Sequence, residues 1–338
     1  AVSLPIPSLS RSPAVPLPDA IASRLRLPLI AAPMLRISGV DLTAAACIEG
    51  VIGSFPTVNA REPEQLDLWM TEIAERCARA ERPTAPVCPN VLMRTDPAKL
   101  DADVEVLVKH KVEMVLASVG SPEKYVRKLH DVGCFVLADV GSMRHAERAL
   151  ESGVDGLVLL SAGAGGQTGW ANGMSFVRAV RKMYDGPLVL AGGISDGHAL
   201  LSAQVLGCDL GLMGTRFIAT QEAMADPRYK AMLIDSGIDD IQLTRGISGI
   251  DANFLRPSII ACGLDPEIVS QPVSKEKSRE LFSAYAGQMR GPKRWVDLWS
   301  AGHTVSAVER VCSVAELVDE IAQEYDAACA VGRKVVGA

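Results

Sequence analysis

Three glycine-rich stretches carry the strongest chemical signal in this sequence. They read Ser161-Ala-Gly-Ala-Gly-Gly-Gln-Thr-Gly-Trp170, Ala191-Gly-Gly-Ile-Ser195 and Met213-Gly-Thr-Arg-Phe217. Glycines let a backbone come close to a phosphate group, and free N–H groups at the start of a helix attract an anion. The candidate phosphate ligands are Gly192, Gly193, Gly214 and Thr215. Plain tight turns are the alternative explanation of the same glycines.

The stretch 161–170 does not fit a dinucleotide-binding fold. Gly163 and Gly165 would require a third glycine at the place of Thr168. The next apolar run ends at Gly192, not in the acidic residue that would hold a ribose. Walker, HExxH and GxSxG motifs are also absent from the sequence.

Two further candidates stand where other apolar runs end. In Ala31-Ala-Pro-Met34, Pro33 stops a strand, and the soft thioether of Met34 could pack against a flat ring. Asn90 ends the third run and offers both a donor and an acceptor to the edge of a heterocycle. A simple strand stop and a turn are the structural alternatives for these two positions.

Short apolar runs alternate with stretches of helical length from residue 27 onward. The runs are 29–32, 51–55, 86–92, 114–118, 134–139, 156–161, 187–191 and 210–213. The helical stretches are 42–49, 63–80, 96–110, 122–131, 142–152, 174–184 and 197–206. This pattern predicts an α/β fold, the (β/α)8 TIM barrel, whose loops after strands seven and eight usually bind phosphate. The prolines in residues 1–18 predict an extended arm before the barrel.

The β/α alternation stops after Phe217. The predicted domains are the barrel, 1–221 completed by 311–338, and a smaller, mostly helical capping domain inserted after strand eight, 222–310. Within the insertion, 275–288 has the clearest helical pattern. Ser313 and Glu316 form a capping box, which predicts a final helix over 313–329.

Composition argues against several function classes. The 34 basic and 40 acidic residues give a net charge of −6, and no basic cluster supports binding to nucleic acid or to a membrane surface. The eight cysteines and five histidines show neither zinc-ligand nor CxxC spacing, so no metal site is predicted. The sequence has no secretory leader and no apolar run of about 18 residues, which favours a cytoplasmic location without membrane contact.

Five segments, in their order along the chain, resemble the nitronate monooxygenase family, formerly called 2-nitropropane dioxygenases, which includes similar NADH:quinone reductases. The segments are Ala32-Pro-Met34, Gly165-Gly-Gln167, Ala191-Gly-Gly193, Met213-Gly-Thr-Arg-Phe217 and Trp299-Ser-Ala-Gly302. The resemblance extends over about residues 27–319. It implies an FMN-dependent oxidoreductase with the flavin bound non-covalently at the C-terminal rim of the barrel.

The resemblance also implies roles for individual residues. The implied flavin contacts are Ala32, Pro33, Met34, Asn90, Asp139, Gly165, Gly166, Gln167, Ala191, Gly192, Gly193, Met213, Gly214 and Thr215. The segment 299–302 is expected to return from the capping domain to the flavin, with Trp170 and His303 near the substrate. Gln167 and His303 are the candidate catalytic residues.

Two positions depart from the family pattern. Most relatives carry a catalytic histidine where this chain has Gln167, whose amide donates hydrogen bonds but cannot abstract a proton. The quinone-reductase relatives carry a lysine at the position of Asp139, where a carboxylate would oppose the negative charge of a reduced flavin. His303 is the remaining candidate base.

The predicted function is an FMN-dependent oxidoreductase that oxidises a small nitronate-like or carbonyl-bearing molecule with O2. The alternatives are an NAD(P)H-dependent flavin reductase of the quinone or enoyl type, a flavin-free phosphate-binding isomerase or lyase, and a barrel without catalytic activity. Without a base at position 167, we expect oxidation of preformed nitronate anions and slow turnover of neutral nitroalkanes. A homodimer is the candidate assembly.

Overall fold

The structure, a computed structural model, describes residues 17–270 and 297–336. The predicted extended arm over 1–18 lies outside these residues except for its last two positions. The predicted helix over 275–288 lies entirely outside them.

Eight parallel strands form the central sheet of the protein. They are Leu29–Ala31, Ile52–Gly53, Asn90–Leu92, Met114–Ser118, Phe135–Val140, Gly156–Leu160, Leu188–Ala191 and Leu210–Met213. We number them one to eight as barrel strands. Consecutive strands pair with each other except the second and third, and the first also pairs with the eighth. Parallel bridges from Gly53 to Val87 and from Pro56 to Asn90 join the second strand to the third and close the ring. The predicted (β/α)8 TIM barrel is confirmed.

The strands are buried on both faces, which explains why they stand out as continuous apolar runs. Every residue of Met114–Ser118 is buried. Met114 and Leu116 belong to the cluster inside the barrel, whereas Val115 packs in the outer layer with the helices. Both layers are largely aliphatic, as the aromatic content of 4% requires.

Seven helices connect consecutive barrel strands. They are Val40–Ile48, Pro63–Ala78, Pro97–Lys109, Glu123–His130, Met143–Glu151, Gly173–Val180 and Gly197–Leu206. Their boundaries follow local signals. The Asp96 carboxylate accepts from the N–H groups of Ala98 and Lys99 at 3.1 Å, and Gly207 ends its helix with a φ of +109°.

The eighth outer helix is Val314–Val336, which packs against both Gly197–Leu206 and Val40–Ile48. It begins with the predicted capping box: the Ser313 hydroxyl accepts from the Glu316 N–H at 3.2 Å, and the Glu316 carboxylate accepts from the Ser313 N–H at 2.7 Å.

The described part of the segment between the eighth strand and this helix combines helices with a small sheet. Its helices are Thr215–Ile218, Pro227–Ile234, Arg256–Ala261 and Pro266–Ser270, with 3-10 turns at Ile238–Asp240 and His303–Ala307. Ile241–Thr244 pairs antiparallel with Ala252–Leu255, which also pairs with Gly166–Gln167 from the loop after the sixth strand. We call these three strands the cap sheet, and the sequence did not predict it. Outside this segment, a short helix, Asp19–Ala22, precedes the barrel, and a 3-10 turn, Thr57–Asn59, follows the second strand.

Candidate active site

A cavity of about 300 Å³ lies at the C-terminal ends of the barrel strands. Ligand pockets in proteins usually enclose roughly 300–1,000 Å³ and combine apolar walls with a few polar groups. The cavity brings together these sequence-predicted residues: Ala32, Pro33, Met34, Asn90, Asp139, Gly165, Gly166, Gln167, Ala191, Gly192, Gly193, Gly214 and Thr215. Residues far apart in the chain meet here because all parallel strands end at one rim.

Three other sequence-predicted residues lie outside the cavity lining. Met213 is buried among the side chains between the eighth strand and the helices, and its predecessor Leu212 lines the cavity instead. Trp170 is 79% exposed. His303 is exposed beside Gly163, whose carbonyl accepts the His303 N–H at 2.9 Å.

One end of the cavity is formed by the turns after the seventh and eighth strands. Gly192 and Gly193 have φ values of +103° and +82°, in the left-handed region that favours glycine. A Cβ at Gly193 would meet nothing within 4 Å, so the backbone is accessible there. Within the described parts of the chain, the N–H groups of Gly193, Gly214 and Thr215 have no hydrogen-bond partner. Such unpaired donors suit an anion.

Polar side chains line the opposite part of the rim, on the third, fourth and fifth strands. Asn90 was expected to end the third run, but it begins the third strand and pairs with Leu116 of the fourth. The Asn90 amide donates to the Ser118 hydroxyl at 2.7 Å and to the Leu116 carbonyl at 2.9 Å. The Ser118 side chain and the Val119 backbone favour the charged form of the Asp139 carboxylate, which lowers its pKa. Burial has the larger effect and raises the pKa of Asp139 to about 6.

The segment Trp299–Gly302 covers the cavity from the side of the insertion. Its first three residues contribute to the lining. The Trp299 ring stacks on the buried Tyr229, with ring centroids 5.1 Å apart and planes 6° apart, and the Tyr229 hydroxyl donates to the Ser300 carbonyl. Gly302 lies so close to the loop after the sixth strand that a Cβ there would be 2.5 Å from the Gly163 carbonyl oxygen. This contact requires glycine.

The cap sheet holds the loop that contains Gln167. Gln167 is paired with Ala252 in that sheet, and its side chain is exposed at the cavity. The buried Asn253 donates through its amide to the Ala164 carbonyl at 2.7 Å. The loop after the sixth strand is therefore fixed between the barrel and the insertion.

Sequence reasoning missed Ser118, Val119 and Tyr229, which all line the cavity. Ser118 ends the fourth strand, and Asp139 is the second-last residue of the fifth, so comparing strand ends would have found Ser118. Tyr229 lies on a helix of the insertion, and nothing local in its sequence indicates a contact with the barrel.

Neither a metal site nor a membrane span emerges from the described residues. No group of three or more His, Cys, Asp or Glu side chains in them could hold a metal ion. Nor does any helix in residues 17–270 and 297–336 have the length and apolar character that crossing a membrane requires.

Similarity to solved structures supports the fold. FabK from Thermotoga maritima superposes with a TM-score of 0.77 and 23% identity, covering 94% of this chain and 97% of that one. A nitroalkane oxidase from Streptomyces ansochromogenes gives a TM-score of 0.76 and 22% identity, covering 92% and 99% of the two chains. At these identities the likeness establishes a shared fold and nothing more.

Sequence similarity identifies the family. A nitronate monooxygenase from Paraburkholderia phytofirmans is 27% identical, over 88% of this chain and 92% of that protein. A (3aS,4S,5R,7aS)-5-hydroxy-7a-methyl-1-oxo-octahydro-1H-indene-4-carboxyl-CoA dehydrogenase from Rhodococcus jostii is 26% identical over 170 residues, so the match spans about half of that relative's length. The family profile named nitronate monooxygenase matches residues 72–324, well over half of the chain. The chain therefore belongs to the nitronate monooxygenase family and is an oxidoreductase.

Proposed function

We propose that this protein is an FMN-dependent oxidoreductase that oxidises a small nitronate-like or carbonyl-bearing molecule with O2. The observation that carries the proposal is a set of N–H groups, at Gly193, Gly214 and Thr215, that have no hydrogen-bond partner among the described residues and lie at one end of a cavity with apolar walls. They match a phosphate group, and the cavity extends from them to the polar side chains of Asn90 and Asp139.

The residues present fit FMN along the whole cavity. Gly193, Gly214 and Thr215 would hold the phosphate with their N–H groups. The flat ring would lie against the apolar first-strand end, Ala32, Pro33 and Met34, and against the exposed backbone of Gly165 and Gly166, with Gly192 and Ala191 beside it. FMN supplies the electron-transfer chemistry, while the protein binds and orients the reactants.

Gln167 supports an oxygen-bearing substrate. Its exposed amide makes no hydrogen bond within the described residues, and it can donate one to a nitro or carbonyl oxygen. Trp299 and Ala301 close this side of the cavity and limit the access of water. The exposed His303 stands outside the lining, so we do not assign it the role of base.

We infer a division between a barrel, 1–221 with 311–338, and a capping domain, 222–310. Support comes from Trp299, Ser300 and Ala301, which bring the insertion to the cavity at the C-terminal rim. A homodimer and a cytoplasmic location stay predictions.

The cofactor is tested by purifying the protein and denaturing it. We expect a yellow protein that releases FMN in a ratio near one per chain. A colourless protein that cannot be loaded with FMN would favour the flavin-free isomerase or lyase.

The phosphate end is tested by Gly214→Val. Gly214 has a φ of −112°, and a Cβ there would make ordinary contacts of 3.5 Å to Ala32 and 3.6 Å to the Met34 sulfur, so the barrel should still fold. The added side chain should nevertheless keep phosphate away from the backbone, and the variant should lose FMN. A folded variant with unchanged flavin content would mean that the phosphate binds elsewhere.

Anaerobic mixing distinguishes the oxidase from the reductase. Propyl-2-nitronate, NADH and NADPH are added separately to the holoenzyme, and the flavin absorbance is followed. We expect bleaching by the nitronate. Bleaching by NADH or NADPH alone would favour the flavin reductase of the quinone or enoyl type.

A further inference from the structure

The cavity contains few side chains that can exchange a proton. Among its lining residues in the described parts of the chain, Asp139 and Tyr229 are the titratable ones. Tyr229 is 4% exposed, its hydroxyl is occupied by the Ser300 carbonyl, and burial raises its pKa well above the usual range. Tyr229 therefore stays protonated, and Asp139 is the group that can change charge near neutral pH.

A hydrogen bond fixes the polar side chain next to Asp139. The Asn90 amide nitrogen can only donate, so the Ser118 oxygen accepts its hydrogen bond at 2.7 Å. The Ser118 hydroxyl hydrogen is then available to another partner, and the Ser118 side chain and the Val119 backbone both favour the charged form of Asp139. The Asp139 side chain itself lines the cavity.

Val119, the residue after Ser118, has an unusual backbone conformation. Its φ is +59°, in the left-handed region that β-branched residues almost never adopt. Such a conformation costs about 1–3 kcal/mol and persists where the surrounding structure requires it, often at functional sites. Here Val119 directly follows the fourth strand and lines the cavity together with Asp139.

The elements packed around Asp139 place no charge against it. Its partner in the sixth strand is Val158, and the fourth strand contributes Leu116 and Ser118 to the same part of the cavity. The lining within the described residues contains no Lys, Arg, His or Glu. No ion pair neutralises the Asp139 carboxylate in this part of the structure, so the carboxylate can accept a proton from a bound ligand.

We propose that Asp139 is the general base of this site and removes a proton from a substrate carbon next to a nitro or carbonyl group. The C–H bond breaks and an O–H bond forms on the carboxylate. The electron pair of the C–H bond moves onto the nitro or carbonyl group, which gives a nitronate or an enolate. The substrate class is then a neutral carbon acid, which differs from the sequence-based expectation of slow nitroalkane turnover.

The inference rests on the proposed function, and Asp139→Asn tests it with two substrates. The holoenzyme is assayed with 2-nitropropane, which must lose a proton, and with propyl-2-nitronate, which has already lost it. We expect the loss in kcat/KM of the variant, expressed per bound FMN, to be about 10²–10⁴-fold larger with 2-nitropropane than with the nitronate. An equal loss with both substrates, or no loss with either, would overturn the role of Asp139.

A second measurement does not depend on oxidation. In D2O without oxygen, the holoenzyme should speed up exchange of the 2-nitropropane carbon-bound hydrogen, followed by proton NMR, and Asp139→Asn should not. Asp131→Asn removes an exposed carboxylate outside the cavity, serves as the control and should exchange at the wild-type rate. Exchange without oxidation of either substrate would refute the proposed oxidase while supporting Asp139 as the base. Absence of exchange by the wild type would refute Asp139.

Discussion

The hydroxyl oxygen of Thr215 accepts a hydrogen bond from the backbone N–H of Gly302 at 3.0 Å, between groups that are both buried. Thr215 begins the short helix after the eighth strand, and Gly302 belongs to the segment that returns from the insertion. This bond joins the turn that we propose to hold phosphate to the segment that covers the cavity. One side chain therefore links these two parts of the site.

We expect Thr215→Val to weaken both stability and FMN binding. Valine has nearly the shape of threonine but no acceptor, so the buried Gly302 N–H would be left unpaired at a cost of about 1–3 kcal/mol. The free energy of unfolding from urea titrations and the Kd for FMN measure the two effects. Thr215→Ser keeps the oxygen and should behave like the wild type; equal behaviour of the Val and Ser variants would contradict the argument.

Gly193→Ala should weaken FMN binding, and Gly133→Ala is the matched control for its effect on stability. Gly193 and Gly133 have φ values of +82° and +80°, and a Cβ at either would meet nothing within 4 Å. Alanine at each position should therefore cost a similar backbone energy, about 1–2 kcal/mol. Only Gly193 lines the cavity, so only Gly193→Ala should raise the Kd for FMN. A similar Kd for both variants would place the phosphate at another turn.

Asp139→Asn should stabilise the flavin-free protein above pH 6. Folding raises the pKa of Asp139 from 3.8 to about 6, so between these values the folded state binds more protons than the unfolded state. The stability contributed by this group is therefore present below pH 3.8 and is lost as the pH rises through 6. The free energy of unfolding of the variant should exceed that of the wild type by on the order of 1–3 kcal/mol at pH 8.

Urea unfolding of both proteins at several pH values measures this difference. The difference in the free energy of unfolding should shrink steadily from pH 7 toward pH 4, because the wild-type carboxyl becomes neutral like the amide. A difference that is independent of pH would show that Asp139 does not titrate with a raised pKa.

The position of most cavity residues could be predicted because the end of each strand can be read from the end of its apolar run. Parallel strands are buried on both faces, so their apolar runs are readable, and their C-terminal ends must meet at one rim. The apolar runs do not indicate whether the side chain at a strand end points into the barrel or toward the outer helices. Side chains alternate along a strand, and this one-residue difference turned Met213 away from the cavity and Leu212 toward it.

Long-range contacts limited the prediction elsewhere. The cap sheet gains its third strand because Ala252–Leu255 meets Gly166–Gln167 from a distant part of the chain, and strands of two to four residues give no clear periodic pattern. The left-handed φ of Val119 was equally hidden, because valine is a residue that local rules exclude from that conformation. Both features depend on tertiary structure, and both contribute to the candidate active site.

Thr43→Val should stabilise the protein by about 1 kcal/mol. Thr43 is fully buried in the first outer helix, and its hydroxyl oxygen has no hydrogen-bond partner among the described residues. Valine removes this unpaired polar group and keeps nearly the same shape. Thr220→Val is the matched control: Thr220 is equally buried, but its hydroxyl donates to the Phe217 carbonyl at 2.9 Å, so the same substitution should be destabilising. If urea titrations show that the free energy of unfolding changes in the same direction in both variants, the assignment of the Thr43 hydroxyl as unpaired is contradicted.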